Sequence, residues 1–348
     1  MSAIEIGGRP VGPGHPPFVI AEAGSNHNGD LEVAKALIDS AADAGADAVK
    51  FQTFDADQVY VENSGGAEYL DDERSLHDIL AEMEMPYEWI PTLHEYASNR
   101  NICFMSTPAD SRAADELEPY VPAYKVESFM LTHHPFLEYL VDKGKPILLS
   151  TGAHTFEEVE DAVDVLKSAG ADQFALLQCV SAYPTPLEDI NVRVVRRYRD
   201  EFDVPAGLSD HTLNPTVAPS AAVALGADVI EKHLTVDRTL EGPDHDFALE
   251  PGELQRMVDA IEKTEAVLGD GQKRIVDAEQ ELHDKTRRFV QANDRIERGT
   301  RLSAENIAIL APGENERGLK PEYYGDLLGK TASRNIEPGE GIVWDDVE

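Results

Sequence analysis

The sequence predicts a parallel (β/α)8 barrel followed by a small β-rich domain. Three observations carry that prediction. Short apolar runs recur every few tens of residues, the segments between several of them carry helical periodicity, and the tripeptide Gly-Ala-Asp precedes a run at 45–47, 170–172 and 226–228. In order, the runs are "FVIAEAG" (18–24), "AVKFQTF" (48–54), "ICFMSTP" (102–108), "AYKVES" (123–128), "PILLSTG" (146–152), "FALLQCV" (174–180), "PAGLSD" (205–210) and "DVIEKHLT" (228–235), eight in all. "LEVAKALIDSAADAG" and "FEEVEDAVDVLKSAG" repeat apolar residues at helical spacing. Each Gly of Gly-Ala-Asp suits a left-handed helix cap before a strand. An insertion containing "NSGGAEYL" separates the second and third runs and reads as an active-site loop. A doubly wound sheet is the competing fold.

The barrel is expected over 1–270, a charged linker over 271–288 and the β-rich domain over 289–348. The last segment contains a repeat: Ile296, Gly299, Leu302 and Ile307 match Ile336, Gly339, Ile342 and Val347, with spacings of 3, 3 and 5 in both copies. This predicts a twofold-like β domain.

The 348 residues carry 66 acids against 30 bases, a net charge of −36. Such a surface argues against nucleic acid or an anionic membrane as partner. No run of apolar residues is long enough to span a bilayer, and no secretory signal is visible. The two cysteines, Cys103 and Cys179, sit in apolar runs and suit reduced core thiols, so a cytoplasmic location is expected. The dispersed acids suggest a halophilic protein whose self-repulsion is screened by molar salt, where the Debye length is roughly 3 Å.

Why a buried strand should end in Glu231, Lys232 and His233 is answered by the barrel, whose functional groups gather at the C-terminal ends of the strands. Polar residues stand at or near that end of all eight runs: Glu22; Lys50 and Gln52; Ser106 and Thr107; Lys125 and Ser128; Ser150 and Thr151; Gln178; Ser209, Asp210 and His211; Glu231, Lys232 and His233. Unpaired burial of such groups is costly, whereas around one mouth they can satisfy each other and a polar ligand. Lys50, Lys125, Ser128, Ser150 and Ser209 suit a phosphate or carboxylate; the alternative is that the lysines pair with Glu231 or Glu127. His211 and His233 can share a divalent metal, with Glu22 or Glu231 near, or can each bond a carboxylate. His27 and His245 are loop residues open to either ligand contact or plain exposure. Tyr183 in "SAYPTP" is a residue to hold over a substrate, and Cys179 reads as a core thiol rather than a nucleophile.

"AEAGSNHNGDLEVAKALIDSAADAGADAVKFQTF", "STP", "PAYKVES", "ILLSTG", "CVSAYPTP", "GLSDHTL" and "GADVIEKHLTVDRTLEGPDHDFALEP" together resemble the sialic acid (N-acetylneuraminate) synthase family, and "DLLGKTASRNIEPGEGI" resembles its C-terminal antifreeze-like (SAF) domain. The resemblance implies condensation of phosphoenolpyruvate with an N-acetylmannosamine-type sugar and water. It implies a divalent metal, usually manganese with magnesium as the alternative, on His211 and His233. It implies phosphoenolpyruvate on Lys50, Thr107, Lys125, Ser128, Ser150 and Ser209, and the sugar on Gln52, Tyr183 and Asp244. Glu22 matches the carboxylate near the reacting carbons, and the C-terminal domain is expected to reach across a swapped homodimer as a lid.

Two departures bear on the sugar. "KVESFM" stands where the family commonly reads Lys-Ile-Ala-Ser-Gly-acid, and Ala311 in "LAPG" stands where an Arg is common. They make a 6-deoxy diacetamido sugar of legionaminic or pseudaminic type an alternative substrate, with Phe129 and Met130 packing on its methyl group. From other classes, a Schiff-base aldolase using Lys125 or Lys50 and a non-catalytic glycan-binding protein are the competing functions.

Overall fold

The computed structural model describes residues 2–61 and 74–348, so the "NSGGAEYL" segment lies outside the described residues. The chain divides into two compact units, 1–269 and 270–348.

The first unit opens with an antiparallel hairpin, β1 (Ile4–Ile6) and β2 (Arg9–Val11). Eight strands follow: β3 (Phe18–Gly24), β4 (Ala48–Thr53), β5 (Cys103–Pro108), β6 (Tyr124–Val126), β7 (Ile147–Ser150), β8 (Phe174–Cys179), β9 (Ala206–Asp210) and β10 (Val229–His233). They pair in parallel in the order β5-β4-β3-β10-β9-β8-β7-β6. β10 pairs with β3, so the last strand returns to the first, as in a barrel and not in an open doubly wound sheet. The seam between β5 and β6 lacks a ladder, which leaves the barrel nearly closed.

Local signals explain the helices that were expected. Asp30 caps the helix Leu31–Asp43 through the Glu32 amide. Thr155 and Glu158 form a reciprocal capping box at the start of Phe156–Ser168. Gly45, Gly170 and Gly226 adopt φ of +81°, +94° and +93°, the left-handed turn that lets each helix stop before the next strand. The Asp of that tripeptide also works at two of the sites: Asp47 accepts from the Val19 amide and Asp228 from the Ala206 amide, each tying down a neighbouring strand.

Strand alternation sorts the barrel into two layers. Phe18, Ile20, Ala48, Met105, Ala123, Leu148, Ala175, Leu177 and Val229 fill the interior, where Ile4, Ile6 and Val11 of the hairpin join them. Val19, Ala21, Val49, Phe104, Val126, Leu149, Leu176, Leu208 and Ile230 face the surrounding helices. The last helix of the unit, Pro251–Leu268, buries Leu254, Met257, Val258 and Ile261. No helix among the described residues is long and apolar enough to cross a membrane.

In the second unit, residues 271–288 hold a 3-10 turn (Asp277–Glu279) and a short helix (Gln280–Thr286), and Arg317 pairs with Asp284 at 2.9 Å. β11 (Phe289–Ala292) and β12 (Ile307–Leu310) pair antiparallel. The internal repeat has a structural counterpart. Ile296 and Ile336 bridge each other across the domain, Gly299 and Gly339 share a left-handed φ of +86° and +84°, and Leu302 and Ile342 are both buried.

Candidate functional site

The same alternation that builds the core decides which strand-end polar groups reach the mouth. In β10 the inward face reads Val229, Glu231, His233, while Ile230 and Lys232 face outward. Lys232 is buried in the outer layer, 2.6 Å from Asp210, and also donates to Thr212. Ser106 bonds Thr53, Gln178 donates to the Ile190 carbonyl, and Thr151 donates to the Leu177 carbonyl. Five of the strand-end residues noted in the sequence, Ser106, Thr151, Gln178, Asp210 and Lys232, are thus structural links of the outer layer and not part of the mouth. Sequence position alone had put them there; side-chain parity removes them.

Glu22, Lys50, Gln52, Thr107, Lys125, Ser150, Ser209, His211, Glu231 and His233 occupy the inward register, all of them buried except the half-buried Gln52. Lys50 Nζ lies 2.7 Å from Glu22 Oε2, donates to Thr107 Oγ1 at 2.8 Å and is 3.8 Å from Glu231 Oε2. Lys125 Nζ is 3.3 Å from Glu231 Oε1, which also accepts from Ser209 at 2.9 Å. Gln52 donates to Glu22 at 3.1 Å. The lysines are therefore paired, as the plainer sequence reading had it, but with two carboxylates that share them. Burial pushes Glu22 up to about 7, against the pull of Lys50 and with the help of Glu231. Glu231 is held low, because Lys125, Lys50 and Ser209 outweigh its burial. Lys50 is held above its usual value, since Glu22 and Glu231 overcome its burial.

His211 and His233 sit side by side, ring centroids 5.3 Å apart. His211 Nδ1 donates to the Val180 carbonyl at 2.9 Å, which leaves Nε2 as its lone-pair nitrogen. His233 Nδ1 makes no hydrogen bond and is 3.5 Å from Asp244 Oδ2. Burial, then His211 and Lys50, hold His233 well below its usual range, so it is neutral. Burial disfavours the charged form of His211 too, but Cys179 and the Val180 carbonyl more than offset it. Among the described residues no three His, Cys, Asp or Glu side chains form a ready-made cage. A neutral, unbonded imidazole beside one with a free Nε2 fits a divalent ion whose remaining ligands are oxygens of water or substrate.

Two glycines make room for the convergence. A Cβ on Gly24 would lie 3.3 Å from Asp244 Oδ2, 3.6 Å from Glu22 Oε1 and 3.7 Å from Gln52 Nε2, so these three groups surround one point. On Gly152 it would lie 2.4 Å from Ser181 Oγ and 2.9 Å from Ser128 Oγ, and the Gly152 amide donates to Ser128. Ser150 Oγ and Ser181 Oγ are buried without a hydrogen-bond partner. Asp244 is pushed up by burial to about 6. The Tyr183 ring lies 4.4 Å from that of His211 and stays 39% exposed.

Several expectations change. His27 and His245 are fully buried, not exposed loop residues. His27 accepts from the Gly29 amide and packs edge-on against Trp89. His245 bonds Thr235 at 2.7 Å and Asn28 at 3.1 Å, joining the loops that follow β3 and β10. Cys179 is buried, in keeping with a core thiol, and its Sγ lies 4.0 Å from His211 Nδ1, which donates to the Val180 carbonyl. Met130 packs into the outer core, so of the pair thought to face a sugar methyl only Phe129, 59% exposed, remains available. Phe247 was missed. It is buried against both imidazoles, and a lone Phe in "GPDHDF" gives no periodic signal by which to find it.

Comparison with known proteins identifies the family and the fold. A model described as the NeuB family matches residues 37–273, and a SAF domain model matches 287–348. The spore coat polysaccharide biosynthesis protein SpsE of Bacillus subtilis is 40% identical, covering 100% of this chain and 98% of its own length. Its crystal structure superposes with a TM-score of 0.68, covering 100% of this chain and 99% of that one. The N,N'-diacetyllegionaminic acid synthase of Legionella pneumophila is 37% identical, covering 95% of this chain and 94% of the relative. The crystal structure of N-acetylneuraminic acid (sialic acid) synthetase from Leptospira borgpetersenii, in complex with citrate, is 35% identical with a TM-score of 0.74, covering 81% of this chain and 95% of that one.

Proposed function

This chain belongs to the NeuB family, and on that premise we propose that it is a nonulosonic acid synthase. It would condense phosphoenolpyruvate with an open-chain N-acetylated amino sugar and water, releasing phosphate. The observation that carries this reading is the single inward register holding Glu22, Lys50, Lys125, His211, Glu231 and His233 at one end of the barrel.

Each residue type has a task in that reaction. Lys50 and Lys125 neutralise the carboxylate and phosphate of phosphoenolpyruvate, and Thr107, Ser128, Ser150 and Ser209 supply hydroxyl donors beside them. Gln52, Tyr183 and Asp244 orient the sugar. Carbon 3 of phosphoenolpyruvate forms the new bond to the aldehyde carbon, whose oxygen takes up a proton. Water then adds at carbon 2 and gives up a proton; the hydroxyl so formed becomes the carbon 2 carbonyl as the bond from carbon 2 to the phosphate oxygen breaks, and its proton leaves with the phosphate. Glu22, poised near neutrality, is the base for that water. A divalent ion on His211 and His233, manganese or magnesium, would polarise the aldehyde oxygen as a Lewis acid. The enzyme would act as a homodimer.

Exposed Phe129, on the turn Ser128–Met130 that follows β6, favours a less polar substrate such as a 6-deoxy diacetamido sugar. The raised Lys50 speaks against an imine formed on that residue, since imine formation needs a neutral amine.

The test is phosphate release from phosphoenolpyruvate with a panel of N-acetylated hexosamines and 6-deoxy diacetamido sugars, in molar KCl with manganese. Release with at least one sugar, abolished by EDTA and restored by manganese, is expected. Phosphate release with none of them, or trapping of a pyruvate imine by borohydride, would overturn the proposal.

A further inference from the structure

Four rings cluster at the mouth: Tyr183, His211, His233 and Phe247. Phe247 touches the other three, with centroids 4.9 Å from His233, 5.2 Å from Tyr183 and 6.1 Å from His211, and it meets both imidazoles edge to face. It is only 3% exposed, whereas Tyr183 at 39% remains open to solvent. Phe247 therefore backs the imidazoles on the protein side.

Its backbone is held where that contact is made. Leu249, two residues on, donates its amide to the His233 carbonyl at 2.8 Å and accepts from the Thr235 amide at 2.9 Å. The Ala248 amide returns to the Asp244 carbonyl, closing a turn that carries Asp244 to within 3.5 Å of His233 Nδ1. His245, inside the same turn, clasps Asn28 and Thr235. His233 Nδ1 itself has no hydrogen bond to set its ring plane. A ring that lacks such a bond is oriented by what packs on it, and edge-to-face aromatic contact has a preferred geometry.

We propose that Phe247 is a positioning residue that holds the two imidazoles in the relative orientation a shared divalent ion requires. The inference rests on the metal-dependent reading above and adds a determinant of metal affinity outside the ligands. A phenyl ring offers no ligand atom, so it acts only through the orientation of His211 and His233.

The experiment is titration of the full chain in molar KCl with Mn(II), the free ion being read by electron paramagnetic resonance, alongside thermal melts. Phe247→Leu and Phe247→Met keep apolar bulk without a ring; Phe247→Tyr keeps the ring. Both ring-less variants should bind Mn(II) about tenfold more weakly, the lower end of what loss of an orienting neighbour costs. Phe247→Tyr should restore most of the affinity even if its melting temperature falls as far as theirs. Wild-type Mn(II) affinity in either ring-less variant overturns the inference. So does an affinity that follows the melting temperature across all three, or failure of both ring-less variants to fold, each of which assigns the ring to the core alone. If the wild type takes up no Mn(II), the metal reading falls and this inference with it.

Discussion

Two buried lysines at the same end of the barrel, Lys50 and Lys232, each lie within hydrogen-bonding distance of a carboxylate, at 2.7 Å and 2.6 Å. By ion-pair geometry alone they are alike. They differ in what surrounds them. Lys232 faces outward, has one carboxylate and is further bonded by Thr212. Lys50 faces inward, pairs with Glu22 and shares Glu231 with Lys125, in a register that also holds Ser150 Oγ and His233 Nδ1, which have no hydrogen-bond partner at all. A satisfied buried pair is a structural link. An under-satisfied one, where charges must share partners, is poised for a ligand that completes it. The burial of polar groups is thus less informative about function than whether their bonding is complete.

The comparison can be broken most severely at Glu22. Glu22→Gln should retain phosphoenolpyruvate binding, measured calorimetrically, and lose turnover by about 10²–10⁴-fold, the usual contribution of a general base. A variant with near-wild-type turnover removes Glu22 from the chemistry. On the outer side, Lys232→Met leaves Asp210 buried without its cation and should cost about 3–5 kcal/mol in denaturant unfolding, with much smaller effects on turnover by the folded fraction. If Lys50→Met destabilised as much as Lys232→Met, the distinction between the two pairs would fail, because Glu22 is already raised and can take a proton when Lys50 is gone.

A smaller effect tests the crowding around the mouth. Gly24 has φ of +52°, so Gly24→Ala should cost about 1–2 kcal/mol of backbone strain. Its new methyl would also press on Asp244, Glu22 and Gln52, so KM for the sugar should rise as well. An unchanged KM would remove these groups from the sugar site.

The pH dependence follows from Glu22. Its folded value, about 7, is raised above the ordinary carboxylate value of 4.5, so the folded state keeps a proton that the unfolded chain has already lost. The associated stabilisation is complete below pH 4.5 and is lost as pH rises to about 7, while the base form needed for turnover appears over the upper part of that range. Turnover should therefore rise through neutrality and lose that limb in Glu22→Gln. The most diffuse effect is that of salt. With a net charge of −36, the melting temperature should climb from low to molar KCl as repulsion is screened; a flat profile counts against halophilic adaptation.

Much of this was legible along the chain because it depends on neighbours in sequence. Gly-Ala-Asp marked helix ends because only a residue free to adopt positive φ closes a helix so tightly. The pattern Ile-x-x-Gly-x-x-apolar gave away the twofold C-terminal domain, since each copy buries the same positions. Glu22, Lys50, Lys125, His211 and His233 could be nominated from their places at strand ends. Lys232 and Gln178 were nominated on the same grounds and stand outside the mouth, because strand-end position does not specify parity when strand boundaries are uncertain by a residue.

The sequence by itself determined the repeating strand-helix units, their caps and the alternation within each strand, all of which follow from steric and hydrophobic preferences over a few residues. Only the tertiary structure decided that Glu22 and Glu231 share Lys50, that Gly152 lets Ser128 and Ser181 close on one point, and that Phe247 backs two imidazoles. Those relations join residues on different strands and loops. Their energies depend on distance and burial, which exist only once the strands have closed around a common axis.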